Sequence, residues 1–409
     1  MGDIASTVGP DAAPSRAAPV APIDRLYPYG EMVLAVVVRR WLTSLVLAFT
    51  LVAVLVTASM ALLRPSLDWD ALAYTALALE QPGDSAEALH GKAYATVKSL
   101  VSETRFKTLT EDDEYRRHQI QSASAFASMM PMYRVKIGYV EALRLLQPHI
   151  GVLRAAHVLN ITALLLLMAA AIWWLDRNKA LLAAPLVFLV YLSLQGRDVL
   201  EGILTDLPAA GLTVAALAAF AARKPFLTAV FLLVAITVRP DTILLAIAMA
   251  ITAVLFAQQR LAALLTLAAC FAVYFWMVAS VGHIGWWPHF WFSNVHIQND
   301  MSGFAPPFSF AAYAKGLARG GFMALAYNNW PMVTAMCLTA LALMWRFEIK
   351  PNRSEAATLL VLALTLGAKF VLFPLPDDRI YLPLVLALIL TTLGPIRRWL
   401  SSQPRGGAG

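Results

Sequence analysis

The chain has 409 residues, of which 59% are hydrophobic and only 14% are charged. Soluble domains carry about 25% charged residues, so the composition excludes a soluble protein and predicts a helical membrane protein. The net charge of +7 does not indicate nucleic-acid binding, because Lys and Arg flank the apolar segments and do not cluster on a polar domain. Cys270 and Cys337 both lie in apolar segments, so neither a disulfide framework nor a thiolate metal site is expected.

The N-terminal segment, residues 1–32, is rich in Pro, Ala and Ser and predicts a disordered tail. Residues 41–63 follow Arg39 and Arg40 and provide about the 20 apolar residues that cross a bilayer, without a cleavage site. This segment is therefore expected to remain as a signal anchor. It opens a single transmembrane domain, residues 33–396, which precedes a short tail at 397–409.

Nine further apolar segments predict additional spans. They lie at 152–175, 180–196, 205–222, 225–239, 241–257, 261–281, 331–346, 355–375 and 380–396. Basic residues concentrate in the connecting segments that would lie on the same side of the membrane as the N-terminal tail. This distribution favours a cytoplasmic location for both termini and about ten spans. The fold class is therefore predicted to be all-α and integral to the membrane.

Two longer segments, 64–151 and 282–330, are then expected on the extracytoplasmic side. Within the first, residues 70–80 carry an apolar stripe that predicts an amphipathic helix on the membrane surface, and 87–109 and 139–146 are further helical candidates. The predicted architecture is thus a helical bundle with surface helices in a large first loop.

Two carboxylates, Asp68 and Asp70, follow the first span directly. One interpretation is helix capping, in which an Asp accepts hydrogen bonds from free N–H groups. Another is general-base catalysis, and a third is a divalent cation such as Mg²⁺ or Mn²⁺ held by carboxylate oxygens. Residues two positions apart do not share a helix face, so the two acids are expected to have different roles.

Several cations lie where apolar spans end on the same side. Lys369 is expected about 10 Å inside the bilayer, where an unpaired charge costs a few kcal/mol. Each cation could pair with a neighbouring acid or extend towards the interface, or the group could form a pocket for a lipid-linked phosphate. The neighbouring acids are Asp198 for Arg197, Asp241 for Arg239 and Asp378 for Arg379. The candidate phosphate ligands are Arg197, Arg239, Lys369 and Arg379.

The segment 281–296 contains three Trp and three His. An interfacial aromatic belt explains this composition, and so does an aromatic border to a substrate entrance. His283, His289 and His296 lack the short spacing that is typical of a zinc site.

Taken together, the Asp68-x-Asp70 motif after the first span, the Arg239-Pro240 tip and the late Arg379-x-Tyr381-Leu382-Pro383 motif resemble the GT-C superfamily of polytopic glycosyltransferases. The likeness is to protein O-mannosyltransferases and to the aminoarabinose and galacturonic acid transferases of lipopolysaccharide. Residues 130–139 are similar to the segment that precedes the second span in bacterial members. Residues 202–208 are similar to the turn before the fourth span, although this chain has Thr-Asp-Leu-Pro where many members have Thr-Pro-Asp, which leaves the role of Asp206 open.

The resemblance implies an inverting enzyme in the bacterial inner membrane, which transfers a sugar from a polyprenyl-phosphate carrier to a hydroxyl of an envelope lipid, glycan or protein. Asp68 or Asp70 would activate the acceptor, and the cations would bind the departing phosphate on the extracytoplasmic side. The alternative is a transporter or flippase of a lipid-linked saccharide. The candidates for lining the substrate site are Tyr74, Tyr133, Arg134, Trp286, Trp287, His289 and Tyr381.

Overall fold

The computed structural model describes the backbone of residues 22–402 and the side chains of residues 37–402, and every regular element in that range is helical. Two short 3₁₀ segments, Leu181–Ala183 and Pro240–Thr242, interrupt the series. The α-helices are α1 (Pro22–Leu63), α2 (Asp70–Leu79), α3 (Ala86–Leu100), α4 (Glu103–Glu111), α5 (Glu114–Gln121), α6 (Ala123–Ser128), α7 (Met130–Arg134), α8 (Ile137–Ile150), α9 (Val152–Arg177), α10 (Ala184–Ser193), α11 (Gly196–Glu201), α12 (Asp206–Ala221), α13 (Pro225–Val238), α14 (Ile243–Leu255), α15 (Arg260–Val281), α16 (Trp286–Asn294), α17 (Phe310–Tyr327), α18 (Trp330–Arg346), α19 (Arg353–Leu372) and α20 (Asp378–Ser402).

The chain divides into two units, Met1–Val46 and Leu47–Gly409. In the first unit, residues 22–46 are helical, so the disorder that the sequence predicted over residues 22–32 is replaced by helix. Pro22 fits this result, since proline is well suited to the first turn of a helix. The earlier part of the predicted tail lies outside the described residues. At the other end, α20 continues through residues 397–402 of the second predicted tail.

In the part of the chain that the structure describes, five helices are long and apolar enough to cross a membrane. All ten predicted spans coincide with helices, but the remaining five are shorter. The long candidates are Val37–Leu63, Val152–Arg177, Arg260–Val281, Arg353–Leu372 and Asp378–Ser402. The chain is therefore a helical protein with several apolar helices of membrane-spanning length.

The larger hydrophobic core joins α9, α10, α12, α14 and α20, whose facing side chains are buried. Helices α9 and α12 approach closely, because a Cβ on Gly211 would lie 2.6 Å from the carbonyl oxygen of Ala163. Helix α20 lies deep in this core, and its buried surface runs from Ile380 to Leu390. These contacts fix the N-terminal end of α20, which carries Arg379.

A second core is formed by the helices of residues 64–151. Helix α2 lies at its centre, with every residue from Ala71 to Ala78 buried. The sequence predicted an amphipathic surface helix here, and this was wrong, because α2 is apolar or small on all sides and a helix of that kind is buried. The predicted helix at 87–109 is divided into α3 and α4, since Ser102 caps the start of α4.

The second core is attached to the larger one through α8 and α13. A Cβ on Gly138, at the start of α8, would lie 2.2 Å from the hydroxyl of Thr237 near the end of α13. The chain then turns at Arg239 and the 3₁₀ segment before α14 begins. This close approach brings the start of α8 next to the Arg239 turn.

Candidate active site

Arg379 joins the two acids that follow the first span. Its Nη1 lies 3.3 Å from Oδ2 of Asp68, and its Nη2 lies 3.9 Å from Oδ2 of Asp70. Its Nε also lies 3.9 Å from Asp377. The sequence predicted that acids and cations from distant segments would converge, and these contacts bring residues 68, 70 and 379 together.

The two acids have different surroundings. Asp70 accepts a hydrogen bond of 2.8 Å from the hydroxyl of Tyr133, which fixes its orientation. Asp68 has a buried Oδ1 without a hydrogen-bond partner, while its side chain as a whole keeps 38% exposure. The two carboxylates therefore do not act as equivalent ligands, and Asp68 is the one with a free oxygen.

Enclosure of the Asp68 carboxyl raises its pKa to about 7, and the negative charge of Asp70 adds to the increase. Arg379 acts in the opposite direction, because its positive charge favours the ionised form. A carboxyl that gains and loses its proton near neutral pH has the property required of a general base at that pH.

Neither carboxylate caps α2 through a hydrogen bond, although Asp70 lies in the first turn of the helix, where a negative charge favours its positive end. The N-terminus of α2 receives no side-chain cap, since the residue at the cap position is Trp69. Asp68 contributes only its backbone carbonyl, which accepts from the N–H of Ala71. Both carboxylates are thus available for other roles.

A chain of ion pairs extends from α12 to α19. Nη1 of Arg239 lies 2.5 Å from Asp206, and its Nε lies 3.2 Å from Asp241. Asp241 in turn lies 2.8 Å from Nζ of Lys369, whose side chain is only 15% exposed. The expected local pairing of Arg239 with Asp241 is confirmed, and Asp206 joins the same group.

Lys136 is the fourth cation near these acids. Its Nζ donates a hydrogen bond of 2.6 Å to the hydroxyl of Tyr74 and lies 4.9 Å from the ring centre of Tyr133. Burial lowers its pKa to about 8, so it remains mainly protonated at pH 7. It forms no ion pair among the described residues.

The group as a whole is close to electrical balance. It contains five carboxylates and four cations, so full ionisation leaves one excess negative charge. Protonation of Asp68 removes this excess. The members are Asp68, Asp70, Asp206, Asp241, Asp377, Lys136, Arg239, Lys369 and Arg379.

Two predicted site residues, Arg197 and Arg134, form ion pairs outside this group. Arg197 is 55% exposed and pairs with Glu201 at 2.5 Å, and not with Asp198 as one interpretation expected. Arg134 pairs with Glu80. The structure does not bring either of them into contact with the acids or cations of the group.

Asp378 was the expected local partner of Arg379, and this expectation was also wrong. Its carboxylate accepts hydrogen bonds from the backbone N–H groups of Asn329 and Trp330, at 2.8 and 2.7 Å. Asp378 therefore stabilises the start of α18, and Arg379 instead contacts Asp68 and Asp70, the acids after the first span.

The aromatic segment lies beside the same group in part. The indole N–H groups of Trp286 and Trp287 donate hydrogen bonds to the backbone carbonyls of Leu372 and Pro307, respectively. The rings of His283 and His289 lie 5.6 Å apart, and burial lowers the pKa of His289 to about 3. Burial is the main cause of the lowered pKa of both imidazoles, and the positive charge of Lys136 adds to it.

Tyr381 stacks on Trp330 with ring centres 4.1 Å apart. Its hydroxyl is buried without a hydrogen-bond partner.

The divalent cation at Asp68 and Asp70 stays a prediction. Between residues 37 and 402, no three His, Cys, Asp or Glu side chains come together as metal ligands. Both acids instead contact the guanidinium of Arg379, which supplies the positive charge at this position.

Sequence reasoning did not assign Lys136, Asp377 or the partner role of Asp206. The signal for Lys136 was present, because it lies between the apolar residues Val135 and Ile137 in the segment 130–139. No family model matches this chain, and neither a curated protein nor a solved structure matches it.

Proposed function

We propose that the protein is an inverting glycosyltransferase that moves a sugar from a polyprenyl-phosphate carrier to a hydroxyl acceptor. The observation that carries the proposal is Asp68, a carboxyl with a free buried oxygen, a pKa near neutrality and a guanidinium at 3.3 Å. The acceptor is an envelope lipid, glycan or protein.

In the proposed reaction, Asp68 takes the proton of the acceptor hydroxyl through Oδ1. The acceptor oxygen then forms a bond to the anomeric carbon, and the bond from that carbon to the phosphate oxygen breaks. The phosphate leaves with the electron pair, and nearby cations stabilise its new negative charge. Attack opposite to the leaving group inverts the anomeric centre.

The charge balance of the group supports this chemistry. Before the reaction, ionised Asp68 accounts for the excess negative charge of the group. As Asp68 accepts a proton, this charge is removed while the departing phosphate gains one. The total charge of the group and the phosphate therefore stays constant during the transfer, and negative charge moves from Asp68 to the phosphate, where the cations can stabilise it.

The membrane arrangement that we propose has about ten spans, with both termini in the cytoplasm of a bacterial inner membrane. Support comes from the ten helices at the predicted positions and from the basic joints between them. Asp68 and the cations would then face the extracytoplasmic side, where polyprenyl-linked sugars without a nucleotide are the available donors.

The test uses purified protein in nanodiscs with a panel of polyprenyl-phosphate sugars and a membrane extract as acceptor. Transfer is followed as labelled product and as release of prenyl phosphate. Asp68→Asn is expected to reduce the rate at least 100-fold. Asp84→Asn is the control, because Asp84 is an acid of the same region that pairs with Lys92 on the surface.

Wild-type rates in Asp68→Asn would refute the assignment of the base. Movement of the intact carrier across the bilayer, without transfer by any donor in the panel, would instead identify a flippase.

A further inference from the structure

A polar cavity lies between the ends of α9, α12, α19 and α20, on the side away from the candidate active site. Three of these helices carry Asp206, Lys369 and Arg379 at their other ends. At a rise of about 1.5 Å per residue, the cavity is about 20 Å from that group. It is therefore separate from the candidate active site, and what it binds does not depend on the proposed transfer reaction.

The cavity is small, and most of the side chains around it are polar. Its volume is about 160 Å³, and its lining includes the buried residues Trp174, Thr358 and Thr391 and the exposed residues Arg177 and Asn352. At about 30 Å³ per water molecule, this space holds on the order of five waters. Pockets for drug-sized ligands usually measure about 300–1,000 Å³, so this cavity suits a phosphate or a small headgroup.

Glu355 lines the cavity, but its negative charge is neutralised within the protein. Both of its oxygens accept hydrogen bonds from the guanidinium of Arg398, at 2.5 and 2.6 Å. One of them also accepts from the backbone N–H of Asn352, at 2.8 Å. Because a bidentate pair of this kind is among the strongest charge-assisted contacts, Glu355 does not prevent an anion from entering.

Arg177 is the cation of the cavity that has no acidic partner. Its guanidinium lies 5.8 Å from the ring centre of Trp173, and its side chain forms no ion pair or hydrogen bond within residues 37–402. Contact with an aromatic ring orients the flat guanidinium without occupying its N–H groups. Its donors are therefore available to a ligand in the cavity.

Asn352 supplies further donors at the same place. Its Oδ1 accepts hydrogen bonds from the backbone N–H groups of Ser354 and Glu355, both at 3.0 Å. This arrangement fixes the amide at the start of α19, and its Nδ2 has no partner in the part of the chain that the structure describes. The amide N–H groups can thus be donated to the same ligand as the guanidinium.

The chain segments around the cavity carry an excess of positive charge. The segments 176–179, 346–355 and 397–398 contain seven Lys or Arg residues and three Asp or Glu residues. Two contacts hold these segments together, since Nε of Arg397 donates to the carbonyl of Lys179 at 3.2 Å and Nη2 of Arg398 donates to that of Lys350 at 3.4 Å. This end of the helices therefore attracts anions towards Arg177.

We propose that this cavity binds a phosphate group with a small polar substituent, as carried by the headgroup of an anionic phospholipid or by a soluble glycerol phosphate. The fork of Arg177 matches two phosphate oxygens, and the amide of Asn352 donates to the phosphate from the same side. The hydroxyls of Thr358 and Thr391 donate to backbone carbonyls, so their oxygens remain as acceptors for the hydroxyls of the substituent.

The lipid headgroup is the favoured source of this phosphate. Helices α9, α19 and α20 are three of those long and apolar enough to cross a membrane, so their ends lie at the depth of the headgroups. Basic pockets between membrane-spanning helices are typical sites for anionic headgroups. The position and the charge of the cavity thus agree.

The experiment measures lipid binding to the full-length protein and needs no sugar donor. Native mass spectrometry from detergent compares phosphatidylglycerol with phosphatidylcholine, which has no net charge. The wild type is expected to bind phosphatidylglycerol more tightly. Arg177→Gln should weaken this binding about 5-fold or more. Arg260→Gln removes the same charge at the start of α15, outside the cavity lining, and should leave the binding unchanged.

Ala221→Leu separates the cavity from the charge around it. Ala221 lines the cavity and is partly exposed, so the larger side chain narrows the cavity without entering the core, and every charge remains. This variant should also lose phosphatidylglycerol binding, while thermal midpoints without added lipid verify that each variant is folded. Wild-type affinity in both Arg177→Gln and Ala221→Leu would overturn the proposal. So would equal losses in Arg177→Gln and Arg260→Gln, because a basic surface without a defined site gives that result.

Glycerol 1-phosphate distinguishes the two sources of the phosphate. If it displaces phosphatidylglycerol at micromolar concentrations and raises the thermal midpoint of the wild type but not of Arg177→Gln, the cavity is a site for a soluble phosphate ester. If it competes only at millimolar concentrations while phosphatidylglycerol still depends on Arg177, the cavity is a lipid headgroup site.

Discussion

Nζ of Lys369 lies 2.8 Å from Oδ2 of Asp241, although the two residues belong to different helical segments and are far apart in the sequence. Asp241 also contacts Arg239, so one carboxylate serves two cations. This arrangement explains how a lysine can be accommodated inside an apolar helix whose own sequence offers no nearby acid.

Asp241→Asn is expected to lower the thermal midpoint of the protein by several degrees. The substitution removes the negative charge between Arg239 and Lys369, whose side chains are only 18% and 15% exposed, so two largely buried cations lose a carboxylate partner. Differential scanning fluorimetry in detergent measures the change. Asp112→Asn is the control, since that side chain is 63% exposed, and an equal effect of both variants would contradict the structural role of Asp241.

The convergence of residues 68, 70 and 379 could be predicted from the sequence, because topology restricts where charges at span ends can lie. The helices at the ten expected positions could be predicted for the same reason, since apolar length is a local property. The ion-pair and hydrogen-bond partners of individual side chains could not be predicted in this way. Glu201 as the partner of Arg197 and Asp378 as a cap of α18 depend on side-chain direction, which periodicity does not specify.

The position of α2 shows a second limit of the sequence. Its apolar stripe was interpreted as the membrane-facing side of a surface helix, yet Thr75 and Tyr74 on the remaining faces are also buried. An apolar helix can be covered by lipid or by protein, and the sequence of that helix alone does not distinguish the two. The covering residues come from α3 and α8, which follow later in the chain.

Gly138→Ala is expected to reduce the transfer rate about 10-fold or more while Gly91→Ala is neutral or slightly stabilising. A methyl group at residue 138 would meet Thr237 at 2.2 Å and force α8, with Lys136, away from α13. Gly91 lies in α3 with nothing within 4 Å, so alanine there gains up to about 1 kcal/mol of helix propensity. Rates and thermal midpoints of both variants provide the comparison, and a wild-type rate in Gly138→Ala would contradict the positional argument.

The proposed orientation in the membrane can be tested by cysteine labelling in intact cells. In a background with Cys270→Ala and Cys337→Ala, an impermeant maleimide is expected to label Lys98→Cys and Ser302→Cys. Ser401→Cys should react only after the membrane is permeabilised, because α20 ends on the side that carries the basic joints. Labelling of Ser401→Cys in intact cells would reverse the orientation.

Asp68→Asn is expected to raise the thermal midpoint more at pH 8 than at pH 4. The pKa of Asp68 rises from 3.8 in the unfolded chain to about 7 in the fold, so ionisation opposes folding increasingly as the pH increases through this window. A neutral amide removes this penalty at high pH and has little to remove at low pH. Thermal midpoints across the range, with Asp112→Asn at a 63% exposed side chain as the control, measure the difference, and a gain that does not depend on pH would contradict it.

The rate of transfer is expected to increase with pH and to reach half of its plateau near pH 7, because Asp68 accepts a proton only when it is ionised. Asp70→Asn removes the neighbouring negative charge that raises the pKa of Asp68, so the half-plateau should move to lower pH. The plateau itself should also fall, since Asp70 orients Tyr133 through the 2.8 Å hydrogen bond. Initial rates between pH 4.5 and 9 in wild type, Asp70→Asn and Asp84→Asn separate the two effects: a structural role of Asp70 alone lowers the plateau without moving its midpoint, whereas an electrostatic role moves the midpoint.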